Sequence, residues 1–341
     1  MKFLSFGLGA IGTYIGGSLA AAGNEVVFLD HSVSGATHPL HLEFKDHVID
    51  LSELFTAVSL EEALNARSYD VVILAVKSFD TPSVLAEIEP FKKDFPPILC
   101  LQNGVENEPL IVAAVGENKV IAGTVTSAVR RLGMGNAVVE KARGVGIESS
   151  HPLSSALVNS FNEAGLKTRA YSSRAALKWS KLLTNLQANA IPAILNWTPL
   201  EVLSNVQTYA LECAAIREAV DVMQALKISV VDLPGTPVRV LVNAMTRWPQ
   251  WLSRPLIART LGAARGGKMP SLQMDLTAGR KQSEVEFLNG AVVRAAERAG
   301  LAAPVNQALT QILSGMAAGG IPPGRMQSHP EQILRYIMEQ L

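Results

Sequence analysis

The segment "KFLSFGLGAIGTYIGGSLAAAGNEVVFLD", residues 2–30, constrains the fold more than any other part of this chain. It reads as an apolar strand, a glycine-rich turn, a helix of small residues and a second apolar strand ending on one acid. Gly7, Gly9 and Gly12 keep the G-x-G-x-x-G spacing between strand and helix. Each glycine has a physical task there. Gly7 permits the tight turn, Gly9 admits a pyrophosphate to backbone amides, and Gly12 lets the helix lie close to the strand. The turn Gly7, Leu8, Gly9, Ala10, Ile11, Gly12 and the positive end of the helix together make an anion cradle. Plain helix packing by small residues is the alternative. A secretion signal is a third reading, because Lys2 and the apolar run imitate its first two regions. Glycines at 7, 9, 12, 16 and 17 interrupt that run, and a strand-like stretch follows at once.

Asp30 lies 23 residues after Gly7, near the usual place of the acid that accepts hydrogen bonds from the adenosine ribose. A carboxylate there repels a 2′-phosphate, so the residues alone point to NAD(H). His31 follows and is cationic only part of the time at neutral pH. The plainer alternative has Asp30 capping the strand end in a turn.

Short apolar runs then alternate with helical patterns. Strands are expected at 2–7, 25–30, 70–76, 96–103 and 119–125, with helices at 10–22, 59–66, 80–89 and 107–115. Such alternation implies a parallel sheet covered on both faces. Segments 136–144 and 144–150 look like antiparallel additions at the sheet edge. From about residue 173 strand signals nearly vanish, and helical spacing recurs at 173–195, 200–227, 237–246, 282–300 and 304–317. The ending "SHPEQILRYIMEQL" reads as a last amphipathic helix. The expected fold is α/β: a Rossmann-like doubly wound parallel sheet over residues 1–170, then a mostly helical domain over 171–341.

Bulk properties narrow the class. With 341 residues, 48% hydrophobic and 18% charged, the chain suits about two folded domains. Thirty basic residues balance thirty acidic ones, so no charge excess draws it to nucleic acid or anionic lipid. No transmembrane helix and no metal site are expected. Cys100 and Cys213 both sit among apolar neighbours, as buried free thiols do, which fits a reducing cytoplasm.

A second constellation lies in "LKWSKLLTNLQANAI". Lys181, Asn185 and Asn189 follow at i, i+4 and i+8, so one helix face is expected to present all three. Such a donor-rich row suits an oxyanion, a carbonyl or a hydroxyl, and a solvated polar face is the alternative. Further on, Ser271 opens a segment leading to Glu284, Glu286 and Asn289, where spacing alone singles out none of them.

These features together resemble one family, the ketopantoate reductases (2-dehydropantoate 2-reductases), over nearly the whole length. The resemblance rests on "GLGAIG", "LAVKSFDT" around Lys77, "LQNGVENE" around Asn103, "KWSKLLTNLQANAI" around Lys181, and "PSLQMD" with "SEVEFLNGAVVRAAERAG" around Ser271 and Glu284. Their order and intervals agree, apart from about one extra residue between Asp275 and Glu284.

The resemblance implies reduction of the 2-dehydropantoate ketone to (R)-pantoate by a nicotinamide cofactor, in pantothenate and coenzyme A synthesis. It makes Lys181 the catalytic acid and Glu284 a residue near both lysine and cofactor. Asn185, Asn189 and Ser271 become substrate contacts, and Asn103 a bridge between nicotinamide ribose and substrate. Lys77 and the backbone of Val129 become cofactor contacts. It also implies a homodimer through the helical domain.

Two departures stand out. Many members carry Arg around residue 31 for the NADP phosphate, whereas this chain has Asp30-His31; NADH is therefore expected to be preferred, with NADPH as the second cofactor. Where the family commonly has a further substrate-binding Asn, this chain has Pro199, which cannot donate a hydrogen bond from its ring nitrogen. Another 2-oxo acid is therefore the alternative substrate, with Asn196 a candidate replacement contact. The segment "MTRWPQWLSRPL", 245–256, has no counterpart; packing, a different pocket and an oligomer contact are its readings. The rival from another class is a non-catalytic dinucleotide sensor, which the presence of both Lys181 and Glu284 opposes.

Overall fold

A computed structural model describes residues 1–32, 37–262 and 269–339. The chain divides into two compact units, Met1–Lys178 with Leu233–Thr236, and Trp179–Asp232 with Pro237–Leu341.

The first unit is built on strands β1 (Lys2–Phe6), β2 (Glu25–Leu29), β3 (Thr37–Glu43), β4 (Val48–Ala57), β5 (Val71–Leu74), β6 (Ile98–Cys100), β7 (Val120–Val125), β8 (Ala128–Gly133), β9 (Asn136–Lys141), β10 (Val145–Glu148) and β11 (Thr168–Tyr171). Their order across the sheet is β11–β10–β7–β6–β5–β1–β2–β4–β3–β9–β8. The six central strands β4–β2–β1–β5–β6–β7 are all parallel. Helices α1 (Ala10–Ala21), α2 (Leu60–Ala66), α3 (Thr81–Ile88), α4 (Asn107–Val115) and α5 (Ser154–Glu163) pack on it.

Successive residues of the central strands enter different cores. Phe3, Phe28, Ile73, Leu99 and Ile121 pack with Ile15 of α1 and Leu157 of α5. Their neighbours Leu4, Val27, Val72, Leu74 and Ile98 pack with Leu60 of α2, Val84 of α3 and Ile111 of α4. Two covered faces explain why these strands are continuous apolar runs rather than alternating ones.

The expected doubly wound sheet is present, with one unforeseen central strand. β4, "VIDLSELFTA", is largely exposed along its first half and carries three acidic or hydroxylic side chains among its first six residues, so it lacks a buried-strand pattern. Its partner β3 lies antiparallel to it. Of the two expected edge additions, β10 pairs antiparallel with β7. β9 instead joins the opposite edge, parallel to β3 and antiparallel to β8.

The second unit is helical. Helix α6 (Arg174–Leu186) contains the division between the units and is followed by α7 (Ala190–Leu195), α8 (Pro199–Ser204), α9 (Val206–Ala225), α10 (Val238–Thr246), α11 (Gln250–Ile257), α12 (Ser271–Thr277), α13 (Asn289–Arg298), α14 (Pro304–Ala317), α15 (Pro323–Met326) and α16 (Pro330–Met338). The helix expected over 200–227 is two, because Asn205 leaves helical geometry and its side chain caps α9 through the Gln207 and Thr208 amides. The one expected over 282–300 is a short 3₁₀ turn, Glu284–Phe287, and then α13. Residues 340 and 341 of the expected last helix, and Lys268 before the Ser271 segment, lie outside the described residues. Trp251 is 76% exposed, so core packing does not account for it. Cys100 and Cys213 are both buried and unbridged.

Candidate functional site

The glycine turn has the geometry its sequence implies. β1 ends at Phe6, and Gly7 turns the chain with φ +90°, a left-handed value costly for any residue bearing a Cβ. Its N–H donates to Leu29 O at the end of β2 over 2.8 Å. A Cβ on Gly12 would stand 2.1 Å from Gly7 O, so only glycine lets α1 begin this close to the turn. A Cβ on Gly9, by contrast, would meet nothing within 4 Å, which leaves open space above the turn. Gly9 is the N-cap of α1, with no side-chain cap and no acidic residue in the first turn. The helix thus starts with no side-chain cap and no acid in its own first turn, beside open space at Gly9. The turn lies on β1, where the strand order reverses between β2 and β5, the usual ligand crevice of such sheets. This geometry fits a dinucleotide diphosphate. Packing also uses the glycines of α1, since a Cβ on Gly16 would strike the Phe28 ring at 2.5 Å.

Asp30 sits just past β2. Its Oδ2 accepts the Leu8 N–H at 3.1 Å, and its Oδ1 accepts the Ser32 N–H at 3.0 Å and the Ser32 hydroxyl. Burial pushes its pKa up, but the hydrogen bonds from Ser32 and Leu8 and the charge of Arg131 outweigh burial and hold it below the ordinary carboxylate range. Asp30 is therefore an anion at neutral pH. His31 has partners of its own: Nδ1 lies 2.8 Å from Val58 O, and Nε2 lies 3.3 Å from Glu87 Oε2. The Val58 carbonyl raises its pKa, burial lowers it, and Glu87 adds a further upward push, for a net rise.

Lys77 follows β5 and is the N-cap of the 3₁₀ turn Ser78–Asp80; Asn103 follows β6. A buried polar network joins these two strand ends. Gln102 Nε2 donates to Val76 O at 3.1 Å and to Thr81 Oγ1 at 2.9 Å. Thr81 donates to Asn107 Oδ1 at 3.0 Å. Asn107 Nδ2 donates to Asn103 O at 2.7 Å and to Ser78 Oγ at 3.1 Å, and Ser78 in turn donates to Asn103 O at 3.0 Å. Gln102, Asn107, Ser78 and Thr81 lie in the stretches around Lys77 and Asn103, but no role is expected of them from the sequence. Their one signal was polarity in the stretches directly beyond buried strands. Val129 lies in β8 opposite Val139, half-buried, two residues before the Arg131 that influences Asp30.

In the second unit the expected single face of Lys181, Asn185 and Asn189 is modified. Lys181 and Asn185 are one turn apart on α6, both half-buried. The helix stops at Leu186, Ala188 adopts φ +45°, and Asn189 becomes the N-cap of α7. The break is fixed by Glu212, buried on α9, whose Oε2 accepts the Ala188 N–H at 2.8 Å. Asn189 bridges the break. Its Nδ2 donates to Asn185 O at 3.0 Å, while its Oδ1 accepts the Leu272 N–H at 3.3 Å and lies 3.5 Å from Ser271 Oγ. Three expected substrate residues, Asn185, Asn189 and Ser271, are thus linked in space. Glu284 is buried at the start of its 3₁₀ turn. Pro199 opens α8, where Thr198 and Glu201 form a capping box. Asn196, with φ +55°, ends α7 and accepts the Gln273 amide at 2.8 Å, two residues beyond Ser271.

Known proteins resemble this chain in sequence and fold. Residues 3–149 match the family model described as ketopantoate reductase PanE/ApbA, and residues 175–317 match its C-terminal counterpart. A 2-dehydropantoate 2-reductase of Pyrococcus horikoshii is 26% identical over 90% of this chain and 94% of the relative. One from Halobacterium salinarum is 26% identical over 92% and 98%. A PanE/ApbA family ketopantoate reductase structure from Ralstonia eutropha superposes with a TM-score of 0.77 and 26% identity, over 94% of this chain and 99% of that one. D-mandelate dehydrogenase, solved with NADH and anilino(oxo)acetate, shares the fold with a TM-score of 0.75 at 21% identity, over 94% and 99%. With both family models matched, over most of its length, the chain belongs to the ketopantoate reductase family.

Proposed function

We propose that this protein reduces 2-dehydropantoate to (R)-pantoate, with NADH preferred over NADPH, in pantothenate and coenzyme A synthesis in the cytoplasm. The observation that carries the reading is the Asn185–Asn189–Ser271 linkage beside Lys181, in a chain that also holds a dinucleotide turn. Residues 1–170 act as the cofactor domain and 171–341 as the substrate domain. A homodimer through the helical domain is part of the proposal.

When bound, a reduced nicotinamide supplies the hydride. The turn from Gly7 to Gly12, including Leu8, Ala10 and Ile11, holds the diphosphate with backbone amides, and Asp30 holds the adenosine ribose. His31, Lys77, Asn103, the Val129 backbone and Glu284 complete the cofactor contacts. Lys181 donates a hydrogen bond to the ketone oxygen and gives it a proton as charge develops there, leaving a neutral alcohol and a neutral amine. Asn185, Asn189, Asn103 and Ser271 orient the substrate, its carboxylate falling to Ser271, so that one ketone face receives the hydride. Glu284 orients Lys181.

Pro199 favours a second reading, in which the same chemistry acts on a different 2-oxo acid. A site built to bond a substrate hydroxyl discriminates through that bond, and Pro199 opens a helix with no N–H to offer. Steady-state kinetics on ketopantoate and a panel of branched and aryl 2-oxo acids, each with NADH and NADPH, tests both. The highest kcat/KM on ketopantoate with NADH is expected. A much higher value on another acid moves the function to the second reading, and no turnover on any, with tight NADH binding, moves it to a sensor.

A further inference from the structure

We propose that Lys178 is a positioning residue for Asn103: its buried ammonium fixes the peptide that leads into Asn103, and so sets how Asn103 is offered to the cofactor. The inference rests on the reading of Asn103 as a cofactor contact.

Lys178 is the last residue of the first unit's main segment and is 2% exposed. A buried ammonium is unfavourable unless it is paired and its three protons are used. Here one carboxylate and two carbonyl oxygens surround it. Nζ stands 2.7 Å from Glu108 Oε1, itself buried, and donates to Gln102 O at 2.6 Å and Gly123 O at 3.3 Å. Burial is the largest effect and works against the charged form, but Glu108, Cys100 and Glu148 together outweigh it and the pKa is raised, so the group stays an ammonium.

The short bond goes to the carbonyl of the peptide that joins Gln102 to Asn103. The following carbonyl, Asn103 O, is held by Ser78 and Asn107. Both peptide groups flanking Asn103 are therefore clamped before the chain turns away at Gly104, where φ is +88°. The first turn of α4 supplies both clamps, directly through Asn107 and through Lys178 by way of Glu108. An apolar residue at 178 would fill the space and lose the donor.

The competing explanation is a purely structural ion pair. Replacing both members of a buried pair with apolar residues is often neutral or stabilising, whereas removing one leaves a buried uncompensated charge. NADH fluorescence titrations and thermal melts of wild type, Lys178→Met and the double variant Lys178→Met/Glu108→Leu separate the two. We expect both variants to bind NADH about tenfold more weakly, the loss of one charged hydrogen bond, although the double variant melts near wild type. Asn103→Ala should weaken NADH binding in wild type and add little in the double variant. A double variant that binds NADH like wild type, or that fails to fold, or in which Asn103→Ala is fully additive, overturns the proposal. Wild type that binds neither NADH nor NADPH overturns instead the cofactor reading beneath it.

Discussion

The Leu8 backbone N–H donates to Asp30 Oδ2 over 3.1 Å, tying the glycine turn to the end of the second strand. A residue expected to bind ribose is thus also part of the frame of the diphosphate cradle. Ser32 takes the other carboxylate oxygen through its N–H and hydroxyl. A carboxylate offers about four acceptor positions, so these bonds orient Asp30 and leave little beyond a ribose contact.

Asp30→Ala should therefore weaken NADH and relax cofactor choice together. Loss of a charge-assisted bond implies about a tenfold or greater fall in kcat/KM with NADH. The NADPH value should fall less or rise, because an anion beside the 2′-phosphate is gone. Kinetics with both cofactors checks this; equal losses for the two would leave Asp30 a strand cap only.

His31 should titrate above the ordinary histidine value of about 6.5. The sign follows from its partners. Val58 O and Glu87 favour the protonated ring in the folded chain, so its stabilising contribution is full below the unfolded pKa and is lost as pH rises through the folded one. Glu87→Gln should lower the NMR titration midpoint of His31. An unmoved midpoint would show that Glu87 has no part in it.

Gly12→Ala places a methyl 2.1 Å from a backbone oxygen, and no flexible side chain stands there to yield. Helix α1 must shift off the turn. Overpacking of this kind costs about 1–3 kcal/mol, so the melting temperature should fall, and NADH affinity should fall with it. Gly9→Ala is the contrast, since its Cβ enters open space. It should melt like wild type and lose affinity only through ligand contact. Equal melting losses in the two variants would contradict this picture of the turn.

The parts legible in the sequence are those whose physics is local. β1, β2, β5, β6 and β7 announce themselves because both sheet faces are covered. The turn from Gly7 to Gly12 is legible because glycine has no substitute there. β4 was hidden, since an exposed first half against β3 lets polar side chains fill a strand of the parallel core. Helical spacing placed Asn189 on the same face as Lys181, but the break at Ala188 depends on Glu212, 24 residues away in sequence. No window of spacing contains that partner. The clamp on Asn103 is equally remote, since Lys178 reaches Gln102 across 76 residues.

Lys181→Ala tests the proposed chemistry most directly. Lys181 lies on α6 one turn before Asn185, whose carbonyl is held by the Asn189 amide. Removal of the lysine side chain should leave the fold and the substrate-orienting amides in place. Proton donation to a developing alkoxide contributes about 10²–10⁴-fold in rate, so kcat should fall by that order. NADH affinity measured by fluorescence should stay near wild type, because the diphosphate and ribose contacts lie in the first unit. A variant that keeps near-normal kcat would show that another group supplies the proton. One that loses NADH binding in step with kcat would make Lys181 a cofactor contact rather than the acid.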